Sequence, residues 1–130
     1  MMNILFVCVH NSGRSQMAEA FLKELAGDRV QVASAGTEPA ASIDPMVVEV
    51  MREVGIDIGH KKPKGLTPGM IEQADRVITM GCGVEDVCPA TSVETEDWGL
   101  DDPKGKDIDE VRQIREQIRA MVWELLEKIS

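Results

Sequence analysis

Cys8-Val9-His10-Asn11-Ser12-Gly13-Arg14-Ser15 follows the apolar run Ile4-Leu5-Phe6-Val7 and leads into a stretch with helical spacing. A cysteine and an arginine with five residues between them, linking a strand to a helix, let the chain curl back on itself. Its backbone N–H groups, the first turn of the helix and the Arg14 fork can then surround one tetrahedral oxyanion. The same positive field favours the ionised sulfur of Cys8. The segment reads as a thiol nucleophile in an anion cradle, with Val9, His10, Asn11, Ser12, Gly13, Arg14 and Ser15 as its anion-binding residues. Asn11 tolerates a left-handed backbone and can hydrogen-bond the loop to itself, and Gly13 permits close approach of the main chain to the anion. Ser15 can donate to the Cys8 thiolate, while His10 reads as an outward loop residue because an ionised thiol needs no base. The phosphate loop of nucleotide hydrolases is excluded, since the chain has no Gly-Lys-Ser/Thr triplet.

Cys82 and Cys88 sit in Gly81-Cys82-Gly83-Val84-Glu85-Asp86-Val87-Cys88-Pro89, a loop-like stretch in which two sulfurs can approach each other. Three thiols in a reducing compartment point to a catalytic relay rather than a permanent bridge. Two inert buried cysteines are the plainer alternative. Zinc is disfavoured because the thiols with His10 or His60 lack close paired spacing, and no metal or other cofactor is expected. Trp98-Gly99-Leu100-Asp101-Asp102-Pro103 places carboxylates on a turn. Chemistry at an oxyanion needs a proton donor for the departing oxygen, and Asp102, its backbone restricted by the following proline, is the candidate. Plain turn and capping roles for Asp101 and Asp102 remain the alternative.

The elements that must position these groups alternate between strand and helix signals, the pattern of βαβ units around a parallel sheet. Strands are predicted at about Asn3 to Val7, Val30 to Ala35 and Arg76 to Met80, with a weaker fourth at Val93 to Glu96. Ala18, Phe21, Leu22 and Leu25 give an apolar face to a first helix ending near Gly27. Asp44-Pro45 opens a second helix stopped by Gly55, and Thr67-Pro68 opens a short third one through about Ala74. Asp107, with Glu110 three residues on, caps a last helix whose core face runs from Val111 to Ile129. Ligands of an open parallel sheet bind beyond the carboxyl ends of its strands, where the loops carrying Cys8, Cys82 and Asp102 all begin.

At 130 residues, with no linker or repeat, residues 1–130 are expected to form a single domain that needs no disulfide scaffold. A net charge of −9 and only two Trp, two Phe and no Tyr disfavour a nucleic-acid partner. The anionic substrate must then be attracted locally, by the loop amides and Arg14. Apolar runs are too short for a membrane span and the N-terminus lacks a signal-peptide pattern, so a cytoplasmic location is expected; a monomer is expected separately. Lys61, Lys62 and Lys64 form the one basic cluster and read as solvated loop charges.

These residues resemble the low-molecular-weight tyrosine phosphatase superfamily and, within it, the thioredoxin-coupled arsenate reductases. The likeness covers essentially the whole chain. It rests on Cys8 through Glu19, Ser34-Ala-Gly-Thr37, Gly55-Ile-Asp-Ile58 with His60, the Cys82/Cys88 pair, and Trp98 through Pro103. It implies a phosphatase-like α/β fold, with a four-stranded parallel sheet flanked by helices. It also implies Cys8 as nucleophile, Arg14 as oxyanion clamp, Ser15 as thiolate partner, Asn11 as loop organiser and Asp102 as general acid. Cys82 and Cys88 resemble relay thiols, with arsenate as substrate and thioredoxin or a similar thiol reductant as partner. Asp102-Pro103-Lys104 stands where the phosphatases commonly have Asp-Pro-Tyr, which tilts the reading towards a reductase. Gly13 stands where such reductases often carry a further Cys, and the Cys82 to Cys88 spacing is one residue shorter than their usual form. A phosphomonoesterase using only Cys8, Arg14 and Asp102 is the alternative enzyme, and an oxyanion or metal sensor the non-enzymatic one.

Overall fold

The alternating signals resolve, in a computed structural model describing residues 2–80 and 94–129, into a parallel sheet in the order β2-β1-β3-β4. Its strands are β1 (Met2–Cys8), β2 (Val30–Gly36), β3 (Arg76–Thr79) and β4 (Glu94–Asp97). The helices are α1 (Arg14–Ala26), α2 (Pro45–Glu53), α3 (Pro68–Gln73) and α4 (Ile108–Ile129), with a 3-10 turn at Gly27–Arg29. The expected four-stranded parallel sheet flanked by helices is therefore present. Its boundaries differ slightly: β1 and β2 each run one residue further than expected, to Cys8 and Gly36, because those two residues still pair with each other. Val93, expected in β4, lies outside the described residues, as do Cys82 and Cys88.

The capping signals act locally as written. Asp44 Oδ1 accepts from the Met46 N–H at 3.0 Å, Thr67 Oγ1 from Met70 at 3.3 Å and Asp107 Oδ1 from Glu110 at 2.9 Å. Pro45 and Pro68 follow the first two caps, where a missing N–H leaves no hydrogen bond unmade. Strand alternation sends Ile4, Phe6 and Cys8 to the face covered by α1, α2 and α4, and Leu5 and Val7 to the face where Ala74, Met70 and Ile71 pack. Cys8 thus emerges on the α1 side at the carboxyl end of the central strand. The chain leaves β1 towards β2 on one side and returns to β3 on the other, so a crevice opens at that end.

An ion cluster ties α2 to α4. Glu53 accepts from Arg112 Nε at 3.0 Å and Nη2 at 2.7 Å, and from Arg115 Nη1 at 2.7 Å, while the same Arg115 nitrogen reaches the Val50 carbonyl at 3.0 Å. The Arg112 hydrogen bond foremost, with Arg115 and the charges of both, outweighs partial desolvation and holds the Glu53 carboxyl down at about 2, against an ordinary 4.5. A carboxyl depressed on folding stabilises the fold above its unfolded value and loses that contribution as pH falls towards its folded one. Urea midpoints of the parent chain are therefore expected to fall between pH 4.5 and about 2 more steeply than those of Glu53→Gln. Equal slopes would remove Glu53 from the acid response.

Candidate active site

The turn after β1 is built around one buried asparagine. Asn11 has a φ of 52°, the left-handed conformation that asparagine tolerates better than most residues. It turns the chain so that its own N–H points back at Cys8 Sγ, 3.2 Å away. Its side chain fixes the rest. Asn11 Oδ1 accepts from the Lys64 backbone N–H at 2.9 Å, a group that can only donate, so Nδ2 must face Ser15, to whose Oγ it donates at 2.7 Å. With its oxygen accepting from Asn11, Ser15 is left to direct its own proton to Cys8 Sγ, 2.8 Å away. Gln16 Nε2 also donates to Asn11 Oδ1, at 3.0 Å. The sulfur therefore receives two aimed donors in a buried setting.

Backbone bonds press the loop onto its neighbours. The carbonyls of Cys8, Val9 and His10 accept from the N–H groups of Thr37, Glu38 and Ala40, and Ser12 O accepts from Asp44 N. Gly36 makes that approach possible, because a Cβ there would stand 2.6 Å from the Val9 carbonyl oxygen and 3.0 Å from Asn11 N. His10 points its Nδ1 at the Glu38 carbonyl, 3.1 Å away, so it braces the loop rather than serving as a base near the sulfur. With carbonyls turned outward and α1 beginning at Arg14, the loop can offer its N–H groups to a tetrahedral anion.

Arg14, only 4% exposed, opens α1 and donates from Nη1 to the Leu100 carbonyl at 3.1 Å. Its Nη2 lies 3.8 Å from Asp102 Oδ2, whose side chain is 44% exposed. Asp102 Oδ1 accepts from Lys104 N at 3.0 Å, which turns the other oxygen towards Arg14. Behind it Trp98 packs on Phe6 with ring centroids 5.6 Å apart and donates from Nε1 to Glu96 at 2.8 Å. Cys8, Arg14 and Asp102, some ninety residues apart in sequence at the extremes, thus converge at one strand end. The arrangement can bind an oxyanion, attack it through sulfur and supply a proton to a leaving oxygen. Cys82 and Cys88 lie outside the described residues. Among the described residues no three His, Cys, Asp or Glu side chains gather as a metal site requires.

Sequence reasoning missed the second layer. Residues 14–22 of α1 are buried all round, not along one apolar stripe, because the helix lies between the sheet and α4. Its polar residues turn inward: Glu19, 2% exposed, accepts from the Ser34 hydroxyl, from Lys61 at 3.0 Å and from Lys23 at 2.9 Å. Burial by itself would raise the Glu19 carboxyl, but the Ser34 hydroxyl and the two lysines outweigh it and hold it below its ordinary value. Lys61 is accordingly paired rather than a solvated loop charge, and Lys64 contributes through its backbone. The available signal was Gln16 and Glu19 beside Ala18 and Phe21, polar positions too close to the catalytic loop to face solvent.

A parallel sheet with a cysteine at the end of its central strand, beneath an arginine that opens the next helix, defines the class. The low molecular weight phosphotyrosine protein phosphatase model matches residues 3–130, and the chain belongs to that family. Within the family it is 40% identical over 121 residues to an arsenate reductase of Staphylococcus epidermidis, covering 92% of each chain. The solved structure of a thioredoxin-dependent arsenate reductase of Corynebacterium glutamicum matches with a TM-score of 0.86 at 44% identity. That match covers 99% of this chain, which spans 62% of the Corynebacterium one. An arsenate reductase solved in its phosphate-binding state matches with a TM-score of 0.88 at 37% identity, covering all of both chains.

Proposed function

We propose that this chain reduces arsenate to arsenite through Cys8, Cys82 and Cys88 and is recycled by thioredoxin. The observation that carries the proposal is the Cys8 sulfur, which receives the Ser15 hydroxyl and the Asn11 N–H beside Arg14. Similarity to arsenate reductases over nearly the whole chain, and the presence of two further cysteines, support it. Residues 1–130 act as one catalytic domain, a cytoplasmic monomer with no nucleic-acid or membrane partner. No helix among the described residues is long and apolar enough to cross a membrane.

Arsenate lies in the loop of Val9 to Ser15 with its oxygens on the backbone N–H groups and Arg14. The Cys8 thiolate attacks arsenic while Asp102 gives its proton to the departing oxygen, so that water leaves and a sulfur–arsenic bond forms. Cys82 thiolate then attacks the Cys8 sulfur, a disulfide forms, and the electron pair of the broken sulfur–arsenic bond stays with arsenic, which leaves as arsenite. Cys88 attacks Cys82, returns Cys8 as thiolate and carries the disulfide to Cys82–Cys88, which thioredoxin reduces with two electrons.

Reduced protein mixed with arsenate, without a recycling system, tests the reading. One equivalent of arsenite together with a Cys82–Cys88 bridge by mass spectrometry is expected. Cys88→Ser should release its one equivalent, stop at a Cys8–Cys82 bridge and fail to turn over with thioredoxin. Wild-type turnover by Cys88→Ser would refute the relay. Unchanged thiols after arsenate, with hydrolysis of phosphomonoesters instead, would favour a phosphatase. That second reading draws on Cys8, Arg14 and Asp102, with Arg14 bonded to the Leu100 carbonyl and lying 3.8 Å from Asp102.

A further inference from the structure

We infer that Gly13 is a positioning residue for Asp102: its missing side chain leaves the seat on which Pro103 rests, and that seat sets the reach of the carboxyl over the anion loop. Gly13 is buried, and its φ of −145° lies outside the left-handed region. A Cβ at Gly13 would stand 2.8 Å from Pro103 Cγ, 3.5 Å from its Cδ and 3.6 Å from Val47 Cγ2. The closest of these is an atom of a buried five-membered ring, which can change pucker but cannot swing away as the tip of a flexible chain does, so an added methyl group presses on the ring and, through it, on the backbone that carries it. Asp102 is the next residue on that backbone. The contact adjoins a second tether between the two segments, Arg14 with the Leu100 carbonyl at 3.1 Å and with Asp102 at 3.8 Å. The carboxyl is thus held from two sides, by packing at Gly13 and by the fork at Arg14.

The inference rests on the reading of Cys8 as nucleophile and Asp102 as proton donor, and the experiment separates the two. Single-turnover arsenite release and affinity for inorganic phosphate are measured for the parent chain, Gly13→Ala, Asp102→Asn, Pro103→Ala and the double variants. Gly13→Ala is expected to slow release by about tenfold, within the range that a displacement of about 1 Å can produce, with phosphate affinity kept within about threefold. Asp102→Asn should slow release by about a hundredfold or more, as loss of a general acid does. Adding Gly13→Ala to Asp102→Asn should then change little, since no carboxyl is left to misplace. Pro103→Ala removes Cγ and Cδ, so Gly13→Ala on that background should lose no further rate.

A second full loss on the Asp102→Asn background, or a collapse of phosphate affinity in Gly13→Ala, would show that the loop itself moved and overturn the seat. A Gly13→Ala rate equal to the parent's would do the same. An Asp102→Asn rate equal to the parent's would instead remove the proton donor from the proposed function, and the positioning role with it. Where Gly13→Ala does not fold, Pro103→Ala decides alone: unseating the segment should slow release about threefold or more at unchanged phosphate affinity, and an unchanged rate refutes the inference.

Discussion

Cys8→Ser is expected to release no arsenite from arsenate and yet to bind inorganic phosphate at least as tightly as the parent chain. Reduction requires a sulfur that can bond arsenic and then leave within a disulfide; a serine oxygen can do neither. Binding draws on other groups, the N–H row of the loop and the Arg14 fork, which the substitution leaves in place. Ser15 and Asn11 N–H find an oxygen where they had a sulfur, so the loop keeps its hydrogen bonds. Removing negative charge from beneath a bound dianion also relieves a repulsion. Arsenite release and phosphate titration followed by NMR check the two halves. Residual arsenite formation would displace Cys8 from the centre of the chemistry, and lost phosphate binding would mean that the sulfur organises the loop.

Arg14→Lys is the companion result, with catalytic efficiency for arsenate expected to fall by about a hundred- to a thousandfold. A lysine keeps the charge but not the planar fork, which can hold an oxyanion with two parallel bonds. The side chain is 4% exposed and already spends Nη1 on the Leu100 carbonyl, so a single ammonium must choose between that acceptor and the substrate. Steady-state kinetics with thioredoxin recycling measure the fall, and thermal unfolding tells it apart from misfolding. An efficiency within threefold of the parent's would mean that charge alone, rather than fork geometry, serves the site.

How much of this was legible in the sequence depended on whether the physics was local. Asp44-Pro45, Thr67-Pro68 and Asp107 announce helix starts because a cap acts within a few residues, and the structure shows all three side chains accepting as such. The Cys8 to Ser15 segment was readable for the same reason: strand, turn and helix start are contiguous. The strand order with β1 at the centre was not written in any short stretch, since it depends on how two crossovers pack. The bonds to Asn11 from Lys64, fifty-three residues away, and to Glu19 from Lys61, forty-two away, were equally invisible. A polar residue in a helix reads as surface until the surrounding layers are known. Asp102 lay between these cases, as a turn carboxylate by its neighbours and a partner of Arg14 only once eighty-eight residues of chain are folded.

The two donors that cradle Cys8 have a consequence for the order of events. While the sulfur is a thiolate they have an acceptor, but a sulfur locked in a bond to another cysteine is a far poorer one, and Asn11 and Ser15 are shut away from water that might replace it. Each donor so orphaned costs about 1 to 3 kcal/mol. On the proposed relay that debt exists while the Cys8 sulfur is bonded, first to arsenic and then to Cys82, and vanishes when the bridge migrates to Cys82–Cys88. The first disulfide would therefore be the more oxidising of the two, by at least about tenfold in equilibrium constant for 1.4 kcal/mol. The hydrogen bonds that prepare the attack would then also act as a ratchet, expelling oxidation from the pocket and making it ready for the next anion.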